Sequence, residues 1–345
     1  MSEEQPFVSI CTPTYNRRPF IESIFECFRH QTYPRDKMEW IIVDDGTDKI
    51  EDLIKQSNLP QIRYFKVKKK MKLGEKRNFM HKYVKGSIVV YMDDDDYYPP
   101  QRVEHCVETL LANPKALCAG SSELYIYFKH IDKMYQSGPF GNSHATAGTF
   151  AFRKELLNHS KYDDNASLAE ERSFLKDYTI PFVQLDPMKT ILVFSHHHNS
   201  FDKKNMLHNS NQQYFKESSK QVRDFIRQEN EEPIYRFFME EIDQLLENYL
   251  PGTPENKPDV VDQLNEIREK REQMAQQQAN QSASIMIEVP GQGKRPLSPQ
   301  EIVQMLTQQQ NQIKFLVNKI KELENDALQK QMKEAMNGQN FSYST

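Results

Sequence analysis

The sequence predicts an α/β fold, a mixed sheet flanked by helices, on two observations. Short, near-continuous apolar segments alternate with segments of helical periodicity over the first 112 residues. Strands apolar on both faces are those of a parallel sheet covered by helices. The strongly polar clusters fall directly after these segments, at the carboxyl ends of the strands, where open α/β sheets bind ligands.

Phe7–Cys11 reads as a buried strand closed by Thr12-Pro13-Thr14. Pro19 suits the first turn of a helix, and Phe20, Ile21, Ile24, Phe25 and Phe28 recur at helical spacing. Trp40–Val43 is the next strand, stopped by Asp44-Asp45-Gly46. A short helix at Glu51–Ser57 leads to a strand at Ile62–Val67, and Gly74 opens a helix carrying Phe79, Met80 and Tyr83. Ser87–Met92 is a fourth strand that runs into Asp93-Asp94-Asp95-Asp96, and Pro99-Pro100 introduces a helix over Gln101–Ala112. Tyr125–His130 and Lys133–Gln136 suggest a hairpin, with further strands at Thr149–Phe152 and Thr190–Phe194. Two helices are expected at Asn209–Arg227 and Pro233–Leu250.

Composition changes beyond residue 250. Of 20 Phe, 16 Tyr and one Trp, only Phe315, Phe341 and Tyr343 lie in that last part of the chain. Polarity, a Gln run and few aromatics mark 251–297 as a largely disordered linker, part of which is transiently helical over 258–280. Ser298-Pro299-Gln300-Glu301 then pairs a capping-box Ser and Glu with Pro at the first helical position. Leu306, Ile313, Ile320 and Ala327 form one heptad series; Ile302, Gln309, Leu316 and Leu323 form the other. This seam predicts a short coiled coil over 298–336 that pairs chains into a homo-oligomer. The expected organisation is a sheet domain at 1–205, a helical extension at 206–250, the linker, the 298–336 helix and a disordered tail at 337–345.

Several classes are excluded. No apolar run approaches the ~20 residues of a membrane-spanning helix. The acidic start MSEEQPFVSI has no apolar signal region. Cys11, Cys27, Cys106 and Cys118 lie in apolar segments without C-x-x-C spacing, as buried thiols in a reducing, cytoplasmic compartment would. A net charge of −4 opposes nucleic acid as a partner. Gly-rich dinucleotide loops, a P-loop and H-E-x-x-H are all absent.

Four consecutive Asp after a buried strand is the strongest chemical signal. Clustered carboxylates repel and desolvate poorly, and a divalent cation, Mg²⁺ or Mn²⁺, relieves that repulsion.

Val8–Arg17, Val43–Gly46, Gly74–Asn78 and Met92–Asp96 with Pro100, in that order and spacing, resemble family 2 glycosyltransferases of the GT-A fold, a Rossmann-like mixed sheet. The resemblance spans residues 7–110, weakens toward residue 200, and does not cover 251–345. It implies a soluble, non-processive enzyme that moves one sugar from a nucleoside-diphosphate sugar, typically a UDP-sugar, to a glycan, lipid or protein acceptor with inversion. Pro13, Thr14 and Tyr15 would line the nucleoside pocket, and Asp45 would accept from the base edge. Arg77, with Lys76, would reach base or diphosphate. Asp93, Asp94 and Asp95 occupy the D-x-D region, with Asp95 the favoured metal ligand, Asp93 or Asp94 on ribose or supporting it, and Asp93 an alternative ligand. In Ala169–Phe174 the family's Glu-Asp pair is replaced by Glu170-Glu171. Glu171 is the candidate base, Glu170 its competitor, and Asp163 and Asp164 lie outside the motif. Gly148 would permit close approach of acceptor. Of His196-His197-His198, the resemblance favours His198, then His196, near metal or diphosphate. Processive synthases add Q-x-x-R-W; the single Trp40 lies in a strand, which excludes that motif. Two alternatives remain: a non-catalytic nucleotide-sugar-binding or coiled-coil scaffold protein, and metal-dependent nucleotidyl transfer.

Overall fold

The computed structural model describes residues 5–168, 170–199, 202–209, 213–282, 286–289 and 293–339. The chain divides into two compact units, Met1–Leu264 and Asn265–Thr345.

The first unit is built as the apolar pattern requires. Strands β1 (Val8–Thr14), β2 (Met38–Asp44), β3 (Ile62–Lys66) and β4 (Ile88–Tyr91) alternate with helices α1 (Ile21–Arg29), α2 (Glu51–Gln56), α3 (Leu73–His81) and α4 (Arg102–Ala112). β1 pairs in parallel with both β2 and β4, and β2 with β3. The next strands are β5 (Cys118–Gly120), β6 (Leu124–Phe128), β7 (Lys133–Ser137) and β8 (Ala151–Arg153). Helix α5 (Glu171–Phe174), strands β9 (Phe182–Gln184) and β10 (Leu192–Ser195), helix α6 (Lys204–Asn209) and strand β11 (Phe215–Glu217) come after them. β8 enters antiparallel between β4 and β5, giving a seven-stranded sheet ordered β3-β2-β1-β4-β8-β5-β9. A second sheet is ordered β10-β6-β7-β11. The mixed sheet flanked by helices matches the expected architecture.

β1, β2 and β4 are buried along their whole length. Trp40 in β2 stacks on Phe28 of α1 at 4.7 Å between ring centres and meets Phe25 edge-on. Its indole N–H donates to Thr12, whose hydroxyl donates to the Met92 carbonyl. That chain ties β1, β2 and the segment after β4 together, so a buried polar group reinforces register. Tyr97 and Leu192 exchange backbone hydrogen bonds, which clamps the acidic segment after β4 against the start of β10.

Two expectations are corrected. Asn209–Arg227 is not one helix: α6 ends at Asn209, and Phe215 pairs with Ser137 as β11 and stacks on Tyr135 at 5.0 Å. Sheet pairing and ring packing override the local helical pattern. Pro233–Leu250 does form α7 (Glu232–Arg236) and α8 (Ile242–Glu247), joined by a π-helical turn at Phe237–Glu241.

The described residues of the expected linker also form regular elements. α9 spans Pro258–Ser282, and Met286–Val289 pairs antiparallel with Gly293–Pro296 as β12 and β13. Residues 251–264 are tied down largely by hydrogen bonds to distant parts of the chain, which composition does not reveal. The last helix, α10 (Pro299–Gln339), begins at the anticipated capping box: Ser298 N–H donates to Glu301, and Glu301 N–H to the Ser298 hydroxyl. Leu306, Ile313, Leu316, Ile320 and Leu323 are exposed on it. Of the disordered tail expected at 337–345, residues 337–339 continue α10 and 340–345 lie outside the described residues. Among the described residues, no helix is long and apolar enough to cross a membrane.

Candidate functional site

The carboxyl ends of β1, β2 and β4 face one polar region. Asn16, just past β1, adopts a left-handed backbone (φ 52°), which Asn tolerates better than most residues. Its side-chain carbonyl accepts from Thr47 and Asp48 N–H, fixing the loop after β2. Asp44, although acidic and adjacent to the site, is structural: it accepts from Gly46 N–H, Ile50 N–H and the Tyr64 hydroxyl.

Beside these ends lies a cavity of about 180 Å³. Its wall holds Pro13, Tyr15, Arg17, Arg77, Asp93, Asp94 and Asp95. Lys70, Lys76, Ser167, Lys257 and Asp259 complete its polar lining. Of the residues expected to hold the nucleotide and the metal, Pro13, Tyr15, Arg77, Asp93, Asp94 and Asp95 thus reach the cavity, whereas Thr14, Asp45 and His198 do not line it. Asp45 is engaged within the protein: Met71 N–H donates to one carboxylate oxygen and the Lys76 ammonium pairs with the other. Asp45 anchors Lys76 beside Tyr15.

Arg17 organises the acid run, a role that its place in the sequence does not reveal. Its guanidinium lies 3.1 Å from Asp95 Oδ2 and 3.6 Å from Asp94 Oδ1, and it donates to the His198 carbonyl at 2.7 Å. Burial raises both acids, but for Asp95 the Arg17 charge and the His196 ring outweigh burial and hold it well below the usual carboxylate range. Asp94, for which burial and the neighbouring Asp95 dominate despite Arg17, is pushed up to about 7. Asp96 is raised by burial and Asp95. Negative charge in the run is therefore favoured on Asp95 over Asp94 and Asp96, which burial and the Asp95 charge push the other way.

His196, rather than His198, faces this cluster. His196 Nε2 is 3.5 Å from Asp95 Oδ2. β10 ends at Ser195, and the chain then turns, with His196 N–H donating to the Asn199 side chain and Asn199 N–H to the His196 carbonyl. Strand alternation stops there, so the choice between the histidines could not be read from period two. The His198 ring packs against Tyr249 at 6.2 Å, and burial first, then His197 and Arg17, lowers its pKa to about 4.

Arg77 is 2% exposed. It donates to Glu170 at 2.9 Å, lies 3.5 Å from Asp93, and covers the Tyr91 ring at 4.3 Å. Gly148 borders the same acid, since a Cβ there would sit 3.0 Å from Asp93 Oδ2. Glu170 is thus locked in an ion pair, while among the described residues no basic side chain pairs with Glu171 at the start of α5. Burial and the adjacent Glu170 push Glu171 up to about 7, the range that suits a general base. Neither Glu lines the cavity; Glu170 reaches it through Arg77. Asp164 holds Asn78, and Asp163 accepts from Asn165 N–H.

Removing one partner of a buried pair strands the other charge, at about 3–5 kcal/mol. Arg77→Met is therefore expected to lower unfolding free energy in urea by about that amount, with Arg77→Met/Glu170→Met recovering most of it. A double-variant loss equal to the sum of the Arg77→Met and Glu170→Met losses would show that the two residues are not coupled.

A divalent cation fits this donor set. Asp94 Oδ2 is buried without a hydrogen-bond partner, beside the ionised Asp95. Among the described residues, no three His, Cys, Asp or Glu converge on one point.

Residues 9–166 match the family model described as glycosyl transferase family 2. An uncharacterised glycosyltransferase of Rickettsia bellii is 34% identical over 128 residues, 36% of this chain and 18% of that protein. A second, from Rickettsia typhi, is 31% identical over 138 residues, 38% of this chain and 42% of that protein. The chondroitin synthase of Escherichia coli is 28% identical over 131 residues, 37% of this chain and 18% of that protein. In each, the match spans less than half of the relative's own length. Among solved structures, a mannosyltransferase from Pyrobaculum calidifontis in complex with GDP-Man and Mn²⁺ is 19% identical. It covers 55% of this chain and 57% of its own at a TM-score of 0.45. Staphylococcus aureus TarS 1–349 covers 82% of this chain and 94% of its own, at 15% identity and a TM-score of 0.43.

Proposed function

From the premise that residues 9–166 belong to glycosyl transferase family 2, we propose that this protein transfers one sugar from a nucleoside-diphosphate sugar, a UDP-sugar first among them, to an acceptor hydroxyl with inversion. One observation carries the reading. The segments after β1 and β4 and the start of α3 bring carboxylates and cations together around a single cavity, as binding a diphosphate with a divalent cation requires.

Tyr15 supports the nucleoside, its ring flanked by Lys70 and Lys76 at 4.8 and 5.7 Å. Asp95 is the cation ligand, with Asp94 or Asp93 beside it. Mn²⁺ or Mg²⁺ there would neutralise charge on the departing diphosphate. Arg77 faces the same charge, and Asp93 and Glu170 fix its position. The acceptor oxygen attacks the anomeric carbon, its proton passes to the Glu171 carboxylate, and the bond to the diphosphate oxygen breaks. Direct displacement inverts the anomeric centre. The four cysteines are buried and free, in keeping with a reducing, cytoplasmic setting. The exposed heptad seam of α10 is the surface through which two chains would pair.

The test is a thermal-shift screen of nucleoside diphosphates and nucleotide sugars, each with and without Mn²⁺. A cognate ligand at 100 times its Kd adds about 2.7 kcal/mol, a rise of several degrees. Turnover of that donor must release a nucleoside diphosphate, and NMR of the product must show the inverted linkage. A folded protein that no nucleotide stabilises would sink the proposal; release of pyrophosphate would point to nucleotidyl transfer instead.

A further inference from the structure

The cavity is not closed by strand-end loops alone. Residues 251–264, whose composition suggests a linker, cross it as a strap. Asn16 donates to the Pro251 carbonyl at 2.9 Å, and the Tyr15 hydroxyl to the Asn256 carbonyl at 3.1 Å. Asp259 accepts from Ser167 at 2.9 Å and pairs with Lys70. Gln263 accepts from the N–H groups of Ser167 and Leu168 and donates to the Leu168 carbonyl. Gly252 allows the close approach: a Cβ there would sit 2.6 Å from the Asn16 carbonyl oxygen and 2.8 Å from His198 Nδ1.

This strap carries Lys257 into the site. Lys257 is 4% exposed, lines the cavity, and donates to the His198 carbonyl at 3.0 Å. That oxygen also accepts from Arg17. Lys257 and Arg17 thus share one carbonyl beside Asp94 and Asp95, and burial, then the Arg17 charge, push the Lys257 ammonium down to about 7. Burying an ammonium next to a guanidinium is unfavourable. The strap's attachment does not depend on it, because the bonds from Asn16, Tyr15, Ser167 and Leu168 already hold the segment. An anion placed against both cations would offset the repulsion, and phosphate suits a compact ammonium.

We propose that Lys257 is a ligand for the diphosphate of the donor, delivered to the site by the 251–264 strap. The proposal rests on the nucleotide-sugar reading above. It makes the segment after α8 part of donor binding rather than a tether, and it extends the site beyond the region that matches the family.

The test measures binding of UDP and GDP, and of uridine and guanosine, by calorimetry without turnover. It uses the full chain as wild type, Lys257→Met and Lys257→Arg. The diphosphate that binds wild type should bind Lys257→Met about 10–100-fold more weakly, the range for loss of one charged hydrogen bond. The matching nucleoside should bind both equally, and Lys257→Arg should recover part of the loss. Gly252→Ala, which crowds Asn16 and His198 without altering charge, should also weaken diphosphate binding, and it serves as the test if Lys257→Met does not fold. Unchanged or tighter diphosphate binding in Lys257→Met, or tighter binding in Gly252→Ala, would overturn the proposal and make the strap a plug. A folded wild type that binds neither diphosphate would overturn the donor reading itself, and this proposal with it.

Discussion

Glu171→Gln is expected to reduce sugar transfer by about 10²–10⁴-fold, the usual contribution of a positioned base, while nucleoside-diphosphate affinity stays near wild type. Its raised pKa, caused by burial and by Glu170, fixes the pH dependence. A base acts unprotonated, so wild-type transfer should rise about tenfold per pH unit below about 7 and level off above it. In Glu171→Gln that limb should vanish from the residual rate. Stability gives an independent readout with the opposite sign. A carboxyl whose folded pKa lies above its unfolded value of 4.5 destabilises the fold progressively as pH rises from there through about 7. Glu171→Gln should therefore melt higher than wild type at pH 8 and close to it at pH 4. A variant that keeps wild-type turnover at pH 8 would remove Glu171 from the mechanism. Glu170→Gln is not an equivalent control, because it also unpairs Arg77.

Asp95→Asn is expected to produce the second large loss, about 10²–10³-fold in transfer, the scale of removing one charge-stabilising group. Its diphosphate affinity should no longer respond to Mn²⁺. Asp94→Asn should cost far less near neutral pH. Arg17 and His196 outweigh burial at Asp95 and favour its charged form, whereas burial and the Asp95 charge push Asp94 up to about 7. The ordering is therefore a sharper test than either variant alone. Calorimetric titration of Mn²⁺ with the cognate diphosphate reads it directly. Equal losses in Asp94→Asn and Asp95→Asn would overturn the assignment of the charge to Asp95.

Much of the fold was legible. β1 to β4 and the helices between them match apolar runs and helical spacings to within a few residues, because β1, β2 and β4 are buried along their whole length and each pattern is local. The strand-end position of Asp93–Asp96 came from the same pattern. Arg17 and Lys76 were visible in the motifs, but their partners were not. Asp95 lies 78 residues from Arg17, and Asp45 lies 31 from Lys76. His196 could not be separated from His198, since the outcome turns on where β10 ends and on a bond to Asn199.

The strap marks the boundary most clearly. By itself the sequence determined the alternating sheet, the acid run at its edge and the capped final helix, since burial of apolar faces and end-capping are written in neighbouring residues. Only the tertiary structure decided that Lys257 and Asp259 line the cavity, that Glu170 is bound to Arg77, and that Arg17 and His196 meet Asp95. Those outcomes depend on which charges meet across the fold at low dielectric, and composition averages such meetings away.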